Sequence, residues 1–135
     1  MGPIQTGIFL SGAAKGGFDR IVVSEVDEKI KKAVTEAGGE ITINIAGANG
    51  IYQEKIPNIE ILNPEDKNDL EKLVDAAAGA EEFATALPNV GIFKHIVPWM
   101  RRAFEKKPDA IRYIYTAENN NHAAEILAQE VGGNF

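Results

Sequence analysis

Three clusters of residues in this chain could do chemistry, and each falls where a strand pattern hands over to a helix pattern. The first is Glu25, which closes "RIVVSEV". A carboxylate at a strand end accepts hydrogen bonds from both hydroxyls of an adenosine ribose and repels the extra phosphate of NADP, so it selects NAD. The competing reading is a solvated acid near a helix start, and Asp27 suits the cap of that helix better than it suits a ligand. The second cluster is "ATALPNVG". Thr85, Ala86 and Leu87 followed by Pro88 either turn backbone N–H groups toward a ligand or form an ordinary strand-to-helix turn. The third is "YTAENNNHA". One helix needs one cap, whereas Glu118, Asn119, Asn120 and Asn121 offer a carboxylate and three carboxamides. An asparagine amide there suits a developing alkoxide or a substrate carbonyl, and a glutamate suits a hydroxyl or a proton relay. The competing reading gives one asparagine to the cap and the rest to water. His122 falls in the first helical turn.

The opening "MGPIQTGIF" bears on the first cluster. Gly2 precedes Glu25 by 23 residues, close to the spacing between a phosphate-binding glycine turn and its ribose-binding acid. With a glycine ahead of Met1, Gly2 would be the second glycine of that fingerprint. Pro3 and Ile4 would then begin a helix whose N-terminus faces an anion, and Gln5 would stand where the fingerprint has its third glycine. Alternatively, Gly2 simply precedes a helix and Gly7 allows close packing.

Composition limits what these clusters can serve. A net charge of −6 argues against broad binding to nucleic-acid phosphates. The chain has no cysteine, which removes disulfides and thiolate chemistry and fits a cytoplasmic protein. Two distant histidines argue against a histidine metal site. No apolar run approaches the roughly 18 residues of a membrane span, and no membrane partner is expected. Length alone suggests one domain.

The elements that must position the clusters alternate along the chain. Pro3 to Lys15 predicts a helix with Ile4, Ile8 and Phe9 on one face, stopped by Gly16-Gly17. "RIVVSEV" predicts a buried parallel strand. A helix capped by Asp27, with a stripe of Ile30, Val34 and Ala37, ends at Gly38-Gly39. "EITINIA" predicts the next strand, and "GANGIYQEKIPNIEIL" an excursion with a turn at Asn49-Gly50 and one or two minor strands. Asn63-Pro64 starts a helix to about Ala78. "EEFATAL" predicts a strand, Pro88 a helical stretch to about Lys106 with a kink or break at Pro98. "AIRYIYT" predicts a strand, and "NNHAAEILAQEV" a helix closed by Gly132-Gly133. Such alternation implies a layered α/β fold with a mostly parallel sheet, whose ligands bind beyond the carboxyl ends of the strands.

Taken in order, "GPIQTGIF", "VVSEVD", "TALPNVG" and "YTAENNNHAAEIL" resemble the Rossmann domain of the mannitol dehydrogenase family, in the branch of mannitol-1-phosphate 5-dehydrogenases. The likeness spans nearly the whole chain. Its most specific piece is Glu118-Asn119, where that branch carries Cys-Glu-Asn and this chain has Ala117 for the cysteine. The resemblance implies a three-layer Rossmann-like NAD-binding domain over residues 1–135, lacking its first strand and the C-terminal helical domain that carries the catalytic lysine. Gly2, Pro3 and Ile4 would then line the pyrophosphate, Glu25 the ribose, and Thr85, Ala86, Leu87 and Pro88 the cofactor toward its nicotinamide. Asn119 would polarise the reacting oxygen with Glu118 beside it, and the substrate would be a sugar alcohol or sugar phosphate. Such a chain alone is expected to be inactive, and its open sheet edge makes a homodimer an expectation. Two other readings fit the same alternation: a non-catalytic nucleotide-binding or interaction module, and a class I methyltransferase that holds S-adenosylmethionine through an acid at its second strand.

Overall fold

A computed structural model of the protein describes residues 1–132. It has a mixed α/β fold, and the chain divides into two compact units, the first ending at Asp69 and the second starting at Leu70.

The first unit opens with a helical run from Pro3 to Gly16. It is π-helical over Gln5–Leu10 and continues as α1 (Ser11–Gly16). Gly17 ends it at φ 79°, a left-handed conformation that glycine adopts without steric cost. The predicted face is corrected here. Ile4 and Ile8 are 43% and 64% exposed, while Leu10 and Ser11 are buried. The wider π winding rotates successive residues away from the 3.6-residue spacing on which the expected stripe rested.

Next come β1 (Ile21–Ser24) and α2 (Glu28–Glu36). Asp27 caps α2 as expected, accepting from the Lys29 N–H at 2.8 Å. Val34 is buried and Ile30 half-buried, but Ala37 lies past the helix end and is exposed. β2 (Ile41–Gly47) and β3 (Gly50–Ile56) follow as an antiparallel hairpin with Gly47 opposite Gly50. The parallel partner of β1 is β4 (Ile59–Leu62), in register from Ile21 opposite Ile59 to Ser24 opposite Leu62. What the sequence suggested was a minor strand is therefore the sheet partner, and the expected sheet strand is a hairpin arm. Patterning explains the exchange. In β2, half-buried isoleucines alternate with exposed Thr42, Asn44 and Ala46, the signature of a strand with one wet face. In β4, Ile59, Ile61 and Leu62 are all buried, as a parallel strand covered on both faces requires. Leu10, Val23, Val34, Ile56, Ile59 and Ile61 form this unit's core.

The turn between α2 and β2 has one tight point. Gly39, at φ 79°, accepts at its carbonyl from the Ile59 N–H at 2.9 Å, and a Cβ there would sit 2.8 Å from the Ile59 carbonyl oxygen. Only glycine permits that approach.

Helix α3 (Lys67–Gly79) begins three residues later than Asn63-Pro64 suggested. Asn63 instead folds an Asx turn, accepting from the Glu65 N–H at 2.8 Å, and Asp66 caps the helix by accepting from the N–H groups of Asn68 and Asp69.

In the second unit, β5 (Glu82–Thr85) and β6 (Tyr113–Thr116) pair in parallel, from Glu82 opposite Tyr113 to Thr85 opposite Thr116. A short 3₁₀ turn, Val90–Ile92, leads into α4 (Phe93–Lys106), and α5 (Ala123–Val131) closes the unit. The helix after β5 starts at Asn89 rather than Pro88, because the Asn89 side chain accepts from the Gly91 N–H at 3.0 Å. Pro98 does not break α4. Both it and Lys94, whose carbonyl loses a partner, are exposed, so the lost bond falls on the solvent side of the helix. Phe93, Val97, Met100, Ala123, Leu127 and Val131 make one core cluster, and Val74, Ala77, Ala78 and Ala103 a second. Phe83 and Phe104 meet edge-on at 5.3 Å, and the Arg112 guanidinium lies over Phe104 at 4.5 Å. Gly132 leaves α5 at φ 75°; Gly133 lies outside the described residues. No helix among those residues is long and apolar enough to cross a membrane.

Candidate functional site

At the carboxyl end of β1, the ladder to β4 continues one residue further, with the Glu25 N–H on the Leu62 carbonyl at 3.0 Å. This aims the Glu25 side chain past the sheet, where it is about 10% exposed. One carboxylate oxygen accepts from the Asp27 N–H at 2.9 Å, and the other meets the amino group of Met1. Burial lowers the pKa of that amino group, and the Asp27 charge partly opposes the shift. The residues that open the first helix and the acid 23 positions later therefore come together. Gly2 is half-buried and accepts from both the Thr6 N–H and the Thr6 hydroxyl at 3.1 Å. No atom lies within 4 Å of where its Cβ would be. Pro3 and Ile4 are exposed.

The second unit gathers the other two clusters. Glu118 is 7% exposed just beyond β6, and its carboxylate spans to β5. One oxygen accepts from the Thr85 hydroxyl at 2.9 Å and the other from the Leu87 N–H at 2.8 Å. Parallel pairing with Thr85 opposite Thr116 brings the two strand ends level, so a residue two beyond β6 reaches the turn after β5. The Leu87 amide thus serves Glu118. Ala86 and Leu87 are half-buried and Pro88 is exposed.

Of the asparagines, Asn120 folds the turn that leads into α5: its side chain accepts from the His122 N–H at 2.8 Å, and its carbonyl accepts from the Ala123 N–H, while His122 at the helix cap makes no side-chain capping bond. Asn119 and Asn121 are exposed. His122 precedes α5 rather than joining its first turn, with its ring 3.8 Å from Glu125 and 77% exposed.

A further polar cluster lies at the carboxyl end of β4. Lys31 reaches Asp69 at 2.6 Å, Asp69 accepts from the Asn63 N–H at 3.0 Å, and the Asn63 amide donates to Glu28. Hydrogen bonding to Asp69, above all, raises the Lys31 pKa. Sequence reading missed this cluster because its four members are scattered over 42 positions and meet only through the β1–β4 pairing. Among the described residues, no group of three or more histidines, cysteines or acids is placed to hold a metal.

Chemically, these strand ends offer one shielded carboxylate beside a helix opening in the first unit. In the second they offer one buried carboxylate and a row of exposed amides. No protein-family model matches the chain, and no curated protein matches it.

Proposed function

We propose that this chain is the NAD-binding part of a polyol or sugar-phosphate dehydrogenase with a Rossmann-like arrangement. The observation that carries the reading is the meeting of Glu25 with the residues that open the first helix. Dinucleotide sites put a ribose-binding acid at a strand end, close to the turn and helix N-terminus that take the pyrophosphate. The parallel pairs β1–β4 and β5–β6, each with an acid at a carboxyl end, support it further. In this reading Gly2, Pro3 and Ile4 flank the pyrophosphate and Glu25 takes the ribose hydroxyls, giving up its contact with Met1 to do so. Within the second unit, Glu118 shapes the turn from Thr85 to Pro88 through Thr85 and Leu87, and exposed Asn119 is the residue assigned to a substrate oxygen. NAD, when bound, supplies the hydride acceptor; the residues here bind and orient.

Titration with NADH, followed by its fluorescence, tests the reading. Binding that weakens about tenfold or more in Glu25→Ala, the scale of a lost charge-assisted hydrogen bond, supports it. S-adenosylmethionine is the comparison ligand, and preference for it would transfer the chain to the methyltransferase reading. One observation favours a non-catalytic nucleotide-binding or interaction module instead: both oxygens of Glu118 are engaged within the protein. NADH binding that no sugar alcohol or sugar phosphate alters is the result that module predicts.

A further inference from the structure

The polar cluster at the end of β4 begins one residue beyond the bond that aligns Glu25. Leu62 accepts from the Glu25 N–H, and Asn63 follows it. Asn63 is 4% exposed, and each of its polar groups is engaged. Its N–H donates to Asp69, its carbonyl accepts from the Asp66 N–H at 3.1 Å, and its side-chain oxygen accepts from the Glu65 N–H. The side-chain amide points away from this turn and donates to Glu28 in the first turn of α2. The turn is complete without that last bond. What the bond adds is a tie between the end of β4 and the helix into which Glu25 leads.

The tie closes a ring. Lys31, one turn further along α2, reaches Asp69 at 2.6 Å and Glu28 at 3.7 Å, and Asp69 accepts from the Asn63 N–H. The start of α2 is thereby fastened to the end of β4 at two points. No buried side chain does the same for the link from β1, because Val26, Asp27, Glu28 and Lys29 are all exposed. Glu25 stands at one end of that link, held by the ladder to Leu62, and Glu28 stands at the other, held by Asn63. Between them the Asp27 N–H donates to the Glu25 carboxylate at 2.9 Å. Moving the helix start therefore moves a donor that orients the carboxylate.

We propose that Asn63 is a positioning residue for Glu25, acting through Glu28 and the Asp27 N–H. Asparagine suits the place because one side chain must accept from the Glu65 N–H and donate to Glu28. An ionised aspartate can only accept. The positioning stands without nucleotide, whereas its effect on NADH affinity rests on the function proposed above.

Asn63→Asp tests it, since it keeps the acceptor for Glu65 and sets a second carboxylate against Glu28. Protection of the Asp27 amide against hydrogen exchange should fall, and NADH binding should weaken about threefold or more. Adding Glu28→Gln, whose amide can donate to the new carboxylate, should restore both. Circular dichroism identifies a variant that has unfolded. Should Asn63→Asp do so, Glu28→Ala cuts the same bond from a side chain that is 63% exposed, and it should reproduce both losses. In a Glu25→Ala background either change should leave NADH affinity within about twofold, because nothing remains to be positioned. A loss that persists in that background overturns the proposal. Unchanged Asp27 protection in the folded variants, or no rescue by Glu28→Gln, overturns it as well. A native protein that binds no NADH overturns the nucleotide function instead, and the exchange measurement then decides the positioning by itself.

Discussion

Single residues fix the strand ends. The carboxylate of Glu118 satisfies the Thr85 hydroxyl and the Leu87 N–H at once, and replacing it by glutamine leaves one of those donors facing an amide N–H₂. Glu118→Gln should therefore cost about 1–3 kcal/mol in urea denaturation. A double-mutant cycle with Thr85→Val should give a clear coupling energy, whereas additive losses would mean the contact is not made. Gly39 is as tightly constrained. Gly39→Ala demands both a left-handed backbone and a Cβ at 2.8 Å from a carbonyl oxygen, so it should destabilise by more than 1 kcal/mol. At this scale the sequence was partly legible. Asp27 caps as its type suggests, because capping is local. The partners of Glu118 were not legible, because its bonds cross 31 and 33 positions and exist only once two strands align. A surplus of cap-forming residues drew attention to the junction without revealing that Glu118 would turn inward and Asn119 outward.

Elements show where pattern succeeded and where length misled. The alternation of strands and helices was readable throughout, since buried β-branched runs and capped amphipathic stretches differ in period. The exchange of roles between β2 and β4 was not read, although "IEIL" is apolar enough for a doubly covered strand and "ITINIA" alternates. Its four residues made it look minor beside the longer hairpin arm. The first helix was placed correctly but faced wrongly, because nothing in "QTGIFL" announces π winding. That helix is tied to the hairpin by Glu54, which accepts from Ser11 at 3.0 Å and from Lys15 at 2.7 Å. The Lys15 bond, chiefly, holds the Glu54 carboxyl below its ordinary pKa, with Ser11 helping and desolvation opposing. A depressed carboxyl pKa contributes stability that is present above the unfolded value and lost as pH falls through the folded one. Unfolding free energy followed from neutral pH into the acid range should thus decline less steeply in Glu54→Gln than in the native protein, and identical slopes would remove the contact from the account. Lys31 acts at the other limit. Its pKa is raised, so its contribution holds below the unfolded value and disappears as alkaline pH passes the folded one.

For the whole molecule, two compact units each present a parallel strand pair whose carboxyl end carries an acid. Their cores are ordinary in kind. Phe93 is fully buried, and Phe93→Ala should cost about 3–5 kcal/mol by removing the largest side chain of its cluster. On the proposed reading, a small ligand binds at the strand ends. Glu25 decides the matter, since it is both the acid at the end of β1 and the contact of the helix opening. The most direct measurement is the NADH dissociation constant of the native protein beside that of Glu25→Ala, with circular dichroism establishing that both are folded. The account predicts saturable NADH binding that weakens about tenfold or more on substitution, together with discrimination against NADPH that Glu25→Ala relaxes. Equal affinity in the two folded proteins, or no NADH binding by the native chain, would contradict it.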